Sequence, residues 1–220
     1  MQLLRHGQLD YAIRLPNDFR KDGQYPLVFY LHGAGGRGRD VSVILNNNFF
    51  SVAEQCFEES VTVIPQCYAD SWFDIFEQLQ DFIKSQIDLP YVDPARVYVV
   101  GGSMGGYTTW QIAMTHPEWF AAIVPICGGG MYWNASRLKH MGVWAFHGEI
   151  DTTVRCEESV KMVEAINKKG GNAKLTIYEG VAHNSWTPTF ENPEVWAWMM
   201  EQRNHYVQTR TEFNDVKTYG

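Results

Sequence analysis

Positive charge is scarce in this sequence. Its 18 Lys and Arg residues stand against 25 Asp and Glu, which gives a net charge of −7. Non-specific nucleic-acid binding needs a basic surface, so we expect no nucleic-acid partner. No run of 18 apolar residues occurs, so we expect no membrane span and no membrane partner. The opening segment MQLLRHGQLDYAIRLP lacks the apolar core of a signal peptide, which favours a cytoplasmic location.

Cysteine is also sparse, and its spacing carries no motif. The four cysteines are dispersed without a Cys-x-x-Cys pair, at Cys56, Cys67, Cys127 and Cys156. In a cytosolic chain this pattern predicts free, mostly buried thiols rather than disulfides. We therefore expect no metal site, and nothing in the sequence requires a cofactor.

Apolar and aromatic residues are abundant, at 45% and 14% of the 220 residues. A chain of this length can bury about 70% of its unfolded surface, so it can form a core without disulfides or metals. We found no repeat, no low-complexity segment and no Pro/Gly/Ser linker. The sequence thus predicts one domain over residues 1–220, with a short N-terminal edge at 1–26 and a polar, peripheral tail at 204–220.

The pattern along the chain alternates apolar strand-length runs with amphipathic helices. This alternation predicts a mostly parallel sheet with helices on both faces. The predicted strands are residues 9–15 (an edge strand), 27–31, 61–64, 97–100, 121–126, 143–146 and 174–178. The predicted helices are residues 72–87, 105–116, 157–169 and 193–203, the last with proline at its favoured first position.

The strongest local motif is Gly-Gly-Ser-Met-Gly at residues 101–105, between a predicted buried strand and a predicted helix. A sharp strand-to-helix turn strains the backbone at its central residue and admits only small neighbours. Such a turn projects the Ser103 hydroxyl at the carboxyl edge of the sheet, beside the positive end of a helix. The motif therefore indicates a nucleophilic serine; an incidental serine in a glycine-rich turn is the alternative.

A serine nucleophile needs a base, and the base needs an orienting acid. His183 follows the last predicted strand and is the candidate base. Asp151 lies five residues past another strand and is the candidate acid, with Glu149 as a rival and a helix-capping role as the alternative for Asp151. His32 and His147 also end strands, and we expect them to fix loops by hydrogen bonding.

Small residues after the first central strand suggest an oxyanion-binding loop. In the segment Leu-His-Gly-Ala-Gly-Gly at 31–36, main-chain N–H groups can approach a substrate oxygen closely. We expect the N–H groups of Ala34 and Met104 to be the donors, with Gly35 as a substitute for Ala34. A phosphate-binding loop is the competing interpretation, but no lysine follows in the P-loop pattern.

Together these segments, with the order Ser103, Asp151, His183, resemble the α/β-hydrolase superfamily. More narrowly, the chain resembles small phospholipase/carboxylesterase and prolyl-oligopeptidase-like esterases, which neighbour feruloyl esterases and polyhydroxybutyrate depolymerases. The resemblance spans roughly residues 25–202. It implies that the three residues act as nucleophile, acid and base. It also implies that Gln66 and Trp186 lie beside the acyl site; Trp72, Trp133 and Trp186 are candidates either for lining it or for packing.

The resemblance implies a serine hydrolase that cleaves short-chain or aromatic acyl esters through an acyl-enzyme, without metal or cofactor. The predicted strands ending at 126 and starting at 143 are too close for a large lid, so we expect an open site for a small ester. A prolyl-oligopeptidase-like peptidase and a non-catalytic binding protein are the alternatives. Relatives have longer early segments, so we expect a sheet that is short at its N-terminal edge; such an edge makes a homo-oligomer plausible.

Overall fold

A computed structural model describes residues 1–207 and contains an eight-stranded mixed sheet. The strands are β1 Gln2–His6, β2 Leu9–Arg14, β3 Tyr25–Leu31, β4 Val61–Pro65, β5 Val92–Gly102, β6 Ala122–Ile126, β7 Gly142–Gly148 and β8 Lys174–Tyr178. Their order is β1-β2-β4-β3-β5-β6-β7-β8. The β1–β2 and β2–β4 pairs are antiparallel and the other five pairs are parallel, which confirms the predicted mostly parallel sheet.

Helices cover both faces of this sheet. They are α1 Ser42–Leu45, α2 Phe49–Cys56, α3 Phe76–Ile87, α4 Met104–Thr115, α5 Glu157–Asn167, α6 Trp186–Phe190 and α7 Pro193–Glu201. Successive strand residues point to opposite faces, so Phe29 packs in the layer beneath α3, α4 and α5, while Val28 packs beneath α1, α2 and α7. Within residues 1–207 no helix combines the length and apolarity needed to cross a bilayer.

The N-terminal edge differs from the sequence prediction. Residues 9–15 were expected to form the edge strand, but β2 lies inside the sheet between β1 and β4, and all six of its residues are buried. The edge is β1, a largely exposed strand that carries no clear alternation and that the pattern did not reveal. The expectation of a short sheet at this edge is therefore wrong, because a tight hairpin adds two antiparallel strands.

Several element boundaries also shift. The helix predicted to begin at residue 72 begins at Phe76, because Trp72 and Ile75 are buried in the loop before it. The short helices α1, α2 and α6 were not predicted, since segments of four to eight residues carry too little periodicity. The polar tail was expected from residue 204, yet Asn204 is buried and its side chain donates to the Glu118 carbonyl. Residues 208–220 lie outside the described residues.

The parallel strands bring the chemically suggestive segments to one edge. Ser103 directly follows β5, Asp151 follows β7 and His183 follows β8, while the loop containing Ala34 follows β3. Because the carboxyl ends of parallel strands lie on the same side of the sheet, these four segments converge there. The segment between β6 and β7 is short and holds one 3-10 helix at Tyr132–Leu138, so no large lid covers this edge within residues 1–207.

Candidate active site

Ser103 occupies a strained turn between β5 and α4. Its backbone has φ 56° and ψ −117°, in a region that residues other than glycine rarely adopt. Its N–H donates to the Ile126 carbonyl at 2.9 Å, which ties the turn to the neighbouring strand β6. A Cβ atom at Gly105 would lie 1.8 Å from the Leu31 carbonyl oxygen, so the close approach of α4 to β3 requires glycine there. The small residue that the motif places at position 105 is therefore required by the packing of α4 against β3.

The side chains of Ser103, His183 and Asp151 form one hydrogen-bonded chain. His183 Nε2 lies 2.8 Å from Ser103 Oγ, and His183 Nδ1 lies 2.7 Å from Asp151 Oδ2. An ionised carboxylate only accepts, so Nδ1 carries the proton and Nε2 is free to accept the serine proton. The sequence placed these residues at three strand ends, and the structure brings their polar atoms into direct contact.

The environment of Asp151 favours its charged form. Burial opposes ionisation, but hydrogen bonds from His183 and from the N–H groups of Val154 and Thr153 outweigh it, so the pKa of the Asp151 carboxyl is lowered. Both N–H groups donate to Oδ1 at 2.9 Å, which leaves Oδ2 for His183. Glu149, the rival acid, instead accepts a hydrogen bond from the Gly180 N–H, away from His183.

This lowered pKa predicts a pH-dependent effect of Asp151→Asn on stability. The stabilisation from the folded carboxylate is fully present above its unfolded pKa of about 3.9 and is lost as pH falls through the lower folded value. As pH falls from about 5 to about 3, the gap in unfolding free energy between wild type and Asp151→Asn should therefore shrink, because the carboxylate is protonated over this interval. Urea unfolding at several pH values measures it. If the difference in unfolding free energy between the two proteins does not change on acidification, the conclusion that the Asp151 pKa is lowered is contradicted.

Two buried histidines fix the loops around this chain of residues, as expected. Nε2 of His147 donates to the Val154 carbonyl at 2.9 Å and also lies 3.4 Å from Asp151 Oδ2. His32 accepts the Cys67 N–H at Nε2, so its proton is on Nδ1, which donates to the Gly33 carbonyl at 2.7 Å. Burial lowers the pKa of both imidazoles, so both are neutral near pH 7. His32 thereby holds the loop after β3 in place.

The loop after β3 approaches the serine closely. A Cβ atom at Gly33 would lie 3.4 Å from Ser103 Cβ and 4.0 Å from Oγ, so any side chain there would crowd the Ser103 hydroxyl. Ala34 and Gly35 line the same cavity as Ser103. Met104 is the first residue of α4, where N–H groups have no acceptor within the helix. Within residues 1–207, neither the Ala34 N–H nor the Met104 N–H donates to a backbone carbonyl in a turn, loop or helix cap.

A cavity of about 460 Å³ opens above Ser103 and His183. Trp186 forms one wall, and its ring meets the His183 imidazole edge-to-face with 5.7 Å between centroids. The remaining lining includes residues that the sequence did not indicate, among them Tyr30, Val43, Asn47 and Thr153. Tyr30 lies on a strand whose apolar sequence predicts only core residues. Val43, Asn47 and Thr153 lie in segments that carry no motif. Trp186 is thus the one predicted tryptophan that lines this cavity.

The other predicted substrate contacts lie elsewhere. Gln66 is buried and donates to the Asp40 carbonyl at 2.8 Å, so it supports the loop behind the cavity instead of lining it. Trp72 is fully buried and donates to the His32 carbonyl at 3.1 Å, so it packs beneath the same loop. Trp133 is 71% exposed and is not among the residues that line the cavity. The placement of these three beside the acyl site is therefore wrong: two are scaffold residues and one is a surface residue.

Cys127 is a neighbour of the site, although the sequence patterns did not indicate it. It follows β6 with a positive φ of 42° and is fully buried. Its Sγ, a carboxylate oxygen of Asp151 and a ring nitrogen of His183 all lie within 4.8 Å of one another. Burial raises the pKa of the Cys127 thiol to about 12, so it is neutral. Its position directly after a strand was the signal that could have revealed it.

Thiol, carboxylate and imidazole groups can all bind metals, but the hydrogen bonds and protonation of these three groups do not suit a metal ion. Both ring nitrogens of His183 are engaged, one with Ser103 and one with Asp151. A thiol must lose its proton to ligate a metal, and burial makes that costly for Cys127. The donor set therefore fits a proton-transfer chain. The four cysteines are free thiols, of which Cys67 and Cys127 are buried and the other two are partly exposed.

Known proteins that are similar to this chain include a depolymerase, a peptidase and an esterase. Poly(3-hydroxyalkanoate) depolymerase C of Paucimonas lemoignei is 50% identical over 188 residues, which cover 77% of this chain and 43% of that protein. Dipeptidyl-peptidase 5 of Porphyromonas gingivalis is 20% identical, with 94% of this chain and 35% of that protein covered. A solved thermostable esterase superposes with a TM-score of 0.83 at 35% identity, covering 89% of this chain and 59% of the other. The chain thus spans less than half of the length of each of these two curated relatives.

The superposition on an esterase and the strand order together confirm the α/β-hydrolase fold that the motifs implied. The profile of one family within that superfamily matches residues 51–207, which include Ser103, Asp151 and His183. On that match, which covers well over half of the sequence, the chain belongs to the dienelactone hydrolase family.

Proposed function

We propose that this protein is a serine carboxylesterase in which Ser103, His183 and Asp151 are nucleophile, base and acid. The observation that carries the proposal is the continuous chain from Ser103 Oγ through both nitrogens of His183 to Asp151, at 2.8 and 2.7 Å. A serine hydroxyl is a weak nucleophile until a positioned base accepts its proton. Relatives and a solved structure with esterase or depolymerase names support hydrolysis of an ester bond.

The proposed reaction proceeds in two steps. Ser103 Oγ attacks the ester carbonyl carbon while His183 Nε2 accepts the hydroxyl proton, and the oxyanion is bound by the N–H groups of Ala34 and Met104. The carbon–oxygen bond to the alcohol then breaks, and the alcohol leaves with the proton from His183. A water molecule next gives a proton to His183 and attacks the acyl-enzyme, which releases the acid and returns the proton to Ser103.

The dimensions of the cavity support small acyl groups. A volume of about 460 Å³, walled by Tyr30, Val43 and Trp186, accommodates a short aliphatic or a single aromatic acyl group. The short β6–β7 segment supplies no lid that would shelter a long chain. We therefore propose short-chain or aromatic acyl esters as substrates.

A panel of substrates tests this proposal. Acetyl, butyryl, octanoyl and feruloyl esters of one alcohol are compared with aminoacyl-prolyl anilides, since a relative is named as a dipeptidyl-peptidase. We expect kcat/KM to be highest for acetyl, butyryl or feruloyl esters and the anilides to be cleaved at least 100-fold more slowly. Faster cleavage of the anilides would favour the peptidase alternative. Activity that rises steadily to acyl chains beyond about ten carbons would contradict the small acyl site.

A further inference from the structure

A second cavity of about 460 Å³ adjoins the cavity above Ser103. The two share four lining residues, Tyr30, Val43, Asn47 and Trp186. The second cavity extends over α1 and α2 on one side and over α6 on the other. It therefore lies next to a substrate bound at Ser103 and offers space for a second group of about the size of the proposed acyl group.

The chemistry of the second cavity differs from that of the first. Its lining is dominated by carboxamides and hydroxyls, from Asn46, Asn47, Asn48, Ser51, Gln55 and Thr187. Aromatic and apolar faces from Tyr30, Trp186 and Phe190 complete it. It holds one carboxylate, Glu191, and neither lysine nor arginine lines it. A ligand suited to these groups is uncharged, rich in hydroxyls and has at least one apolar face.

Most of these polar groups are available to a ligand. Within residues 1–207, the side-chain amides of Asn46, Asn48 and Gln55 make no hydrogen bond with the protein. The Asn47 side chain accepts the Phe49 N–H at its oxygen, which leaves its NH₂ group to donate. A carboxamide offers both donors and acceptors, and so matches hydroxyl groups, each of which donates once and accepts.

The position of Trp186 indicates which part of the ester lies here. Its ring contacts the His183 imidazole and is shared by both cavities. In the proposed reaction the leaving alcohol takes its proton from His183 Nε2, so the alcohol oxygen must lie beside that ring. An alcohol that extends from this oxygen past Trp186 would reach the carboxamide-lined cavity.

We infer that this second cavity binds a neutral sugar that carries the scissile ester on one of its hydroxyls. The sugar hydroxyls pair with the carboxamides of Asn48 and Gln55, and an apolar sugar face packs on Trp186. This inference rests on the proposed esterase function, because it assigns the alcohol half of the same substrate. It restricts the natural substrate to acylated carbohydrates.

A matched pair of acetate esters tests the inference. Methyl 6-O-acetyl-glucopyranoside and cyclohexylmethyl acetate share an acyl group and a six-membered ring, but only the first carries ring hydroxyls. We expect the double variant Asn48→Ala/Gln55→Ala to lower the ratio of kcat/KM for the sugar acetate over the cyclohexyl ester by about 30-fold, since two hydrogen bonds are lost and each is worth about fivefold. Asn48 makes no side-chain cap to α2, so its truncation removes no helix contact. Gln8→Ala, an exposed carboxamide in the β1–β2 turn, is the control and should leave the ratio unchanged.

An unchanged ratio in the double variant would overturn the sugar site even if both esters are hydrolysed. If wild type hydrolyses neither these esters nor any ester of the panel above, the proposed function fails and binding decides the inference separately. For that purpose Ser103→Ala is titrated with the sugar acetate by calorimetry, with and without the two further substitutions. Binding that weakens at least about fivefold with them supports the site, since this corresponds to one lost hydrogen bond. Absence of binding, or binding that the substitutions do not change, would overturn it.

Discussion

Ser103→Ala should lower kcat for ester hydrolysis by about 10⁵- to 10⁶-fold, since loss of a nucleophile removes the covalent pathway altogether. The substitution deletes one oxygen atom that bonds to His183 Nε2 and leaves the backbone turn in place. Steady-state hydrolysis of a short-chain ester, followed spectrophotometrically, measures the loss.

The fold should survive this change. Ser103 Oγ makes its hydrogen bond to His183 at the mouth of a cavity, so alanine leaves no buried group unpaired. We expect a Tm within about 3 °C of wild type, because substitutions that remove no core contact change the unfolding free energy by only about 0.5 kcal/mol. Ser85→Ala, on α3, is the matched control and should retain full activity. Turnover by Ser103→Ala within tenfold of wild type would contradict the assignment of the nucleophile.

Gly105→Ala should be among the most destabilising single substitutions in this protein. The added Cβ would lie 1.8 Å from the Leu31 carbonyl oxygen and 2.5 Å from its carbon, and both are backbone atoms that a rotamer change cannot move. Helix α4 would have to shift away from β3, which separates Ser103 from the loop that follows β3. We expect a loss of about 3 kcal/mol or more, seen as a Tm about 6–12 °C lower in thermal unfolding.

Gly102→Ala is the matched control for this prediction. It lies three residues away in the same turn, and its added Cβ would meet nothing closer than 3.6 Å, at the Tyr30 hydroxyl. We expect a Tm within a few degrees of wild type, as for other substitutions without a steric clash. Equal stability of the two variants would show that the close approach of α4 to β3 does not hold in solution.

The sequence was sufficient for the central sheet and for the three residues of the hydrogen-bonded chain. Buried parallel strands are continuous apolar runs, and in this fold polar residues directly after such runs converge at one edge. Ser103, Asp151 and His183 were therefore identifiable from the motif around Ser103, their order along the chain and their positions after strands. Cys127 also follows a strand, and the same reasoning applied without regard to residue type would have included it.

What the sequence could not provide depends on packing between distant segments. The hairpin strand β1 is mostly exposed and has no hydrophobic alternation, so nothing local distinguishes it from a loop. Gln66 and Trp72 follow a strand and precede a helix as site residues do, yet they turn beneath the loop after β3 and support it through hydrogen bonds. Only the three-dimensional path of that loop decides whether a side chain faces the cavity or the scaffold.

The walls of the cavity were unpredictable for a similar reason. Val43 and Asn47 belong to a stretch with two very short helices, in which no periodicity marks one face. They reach the cavity because this stretch lies beside Tyr30, with which they share the lining. The chemistry of the nucleophile is thus local in sequence, whereas the shape of the substrate site is a property of the assembled loops.

The most direct test of the account is covalent labelling with a fluorophosphonate, followed by mass spectrometry of proteolytic peptides. A serine activated by a positioned histidine reacts with this reagent, whereas ordinary serines do not. The account predicts one label per chain, located at Ser103, and a labelling rate at least about 100-fold lower in His183→Ala, since general-base assistance contributes about 10²- to 10⁴-fold. An unlabelled protein, or a label on any other residue, would contradict it.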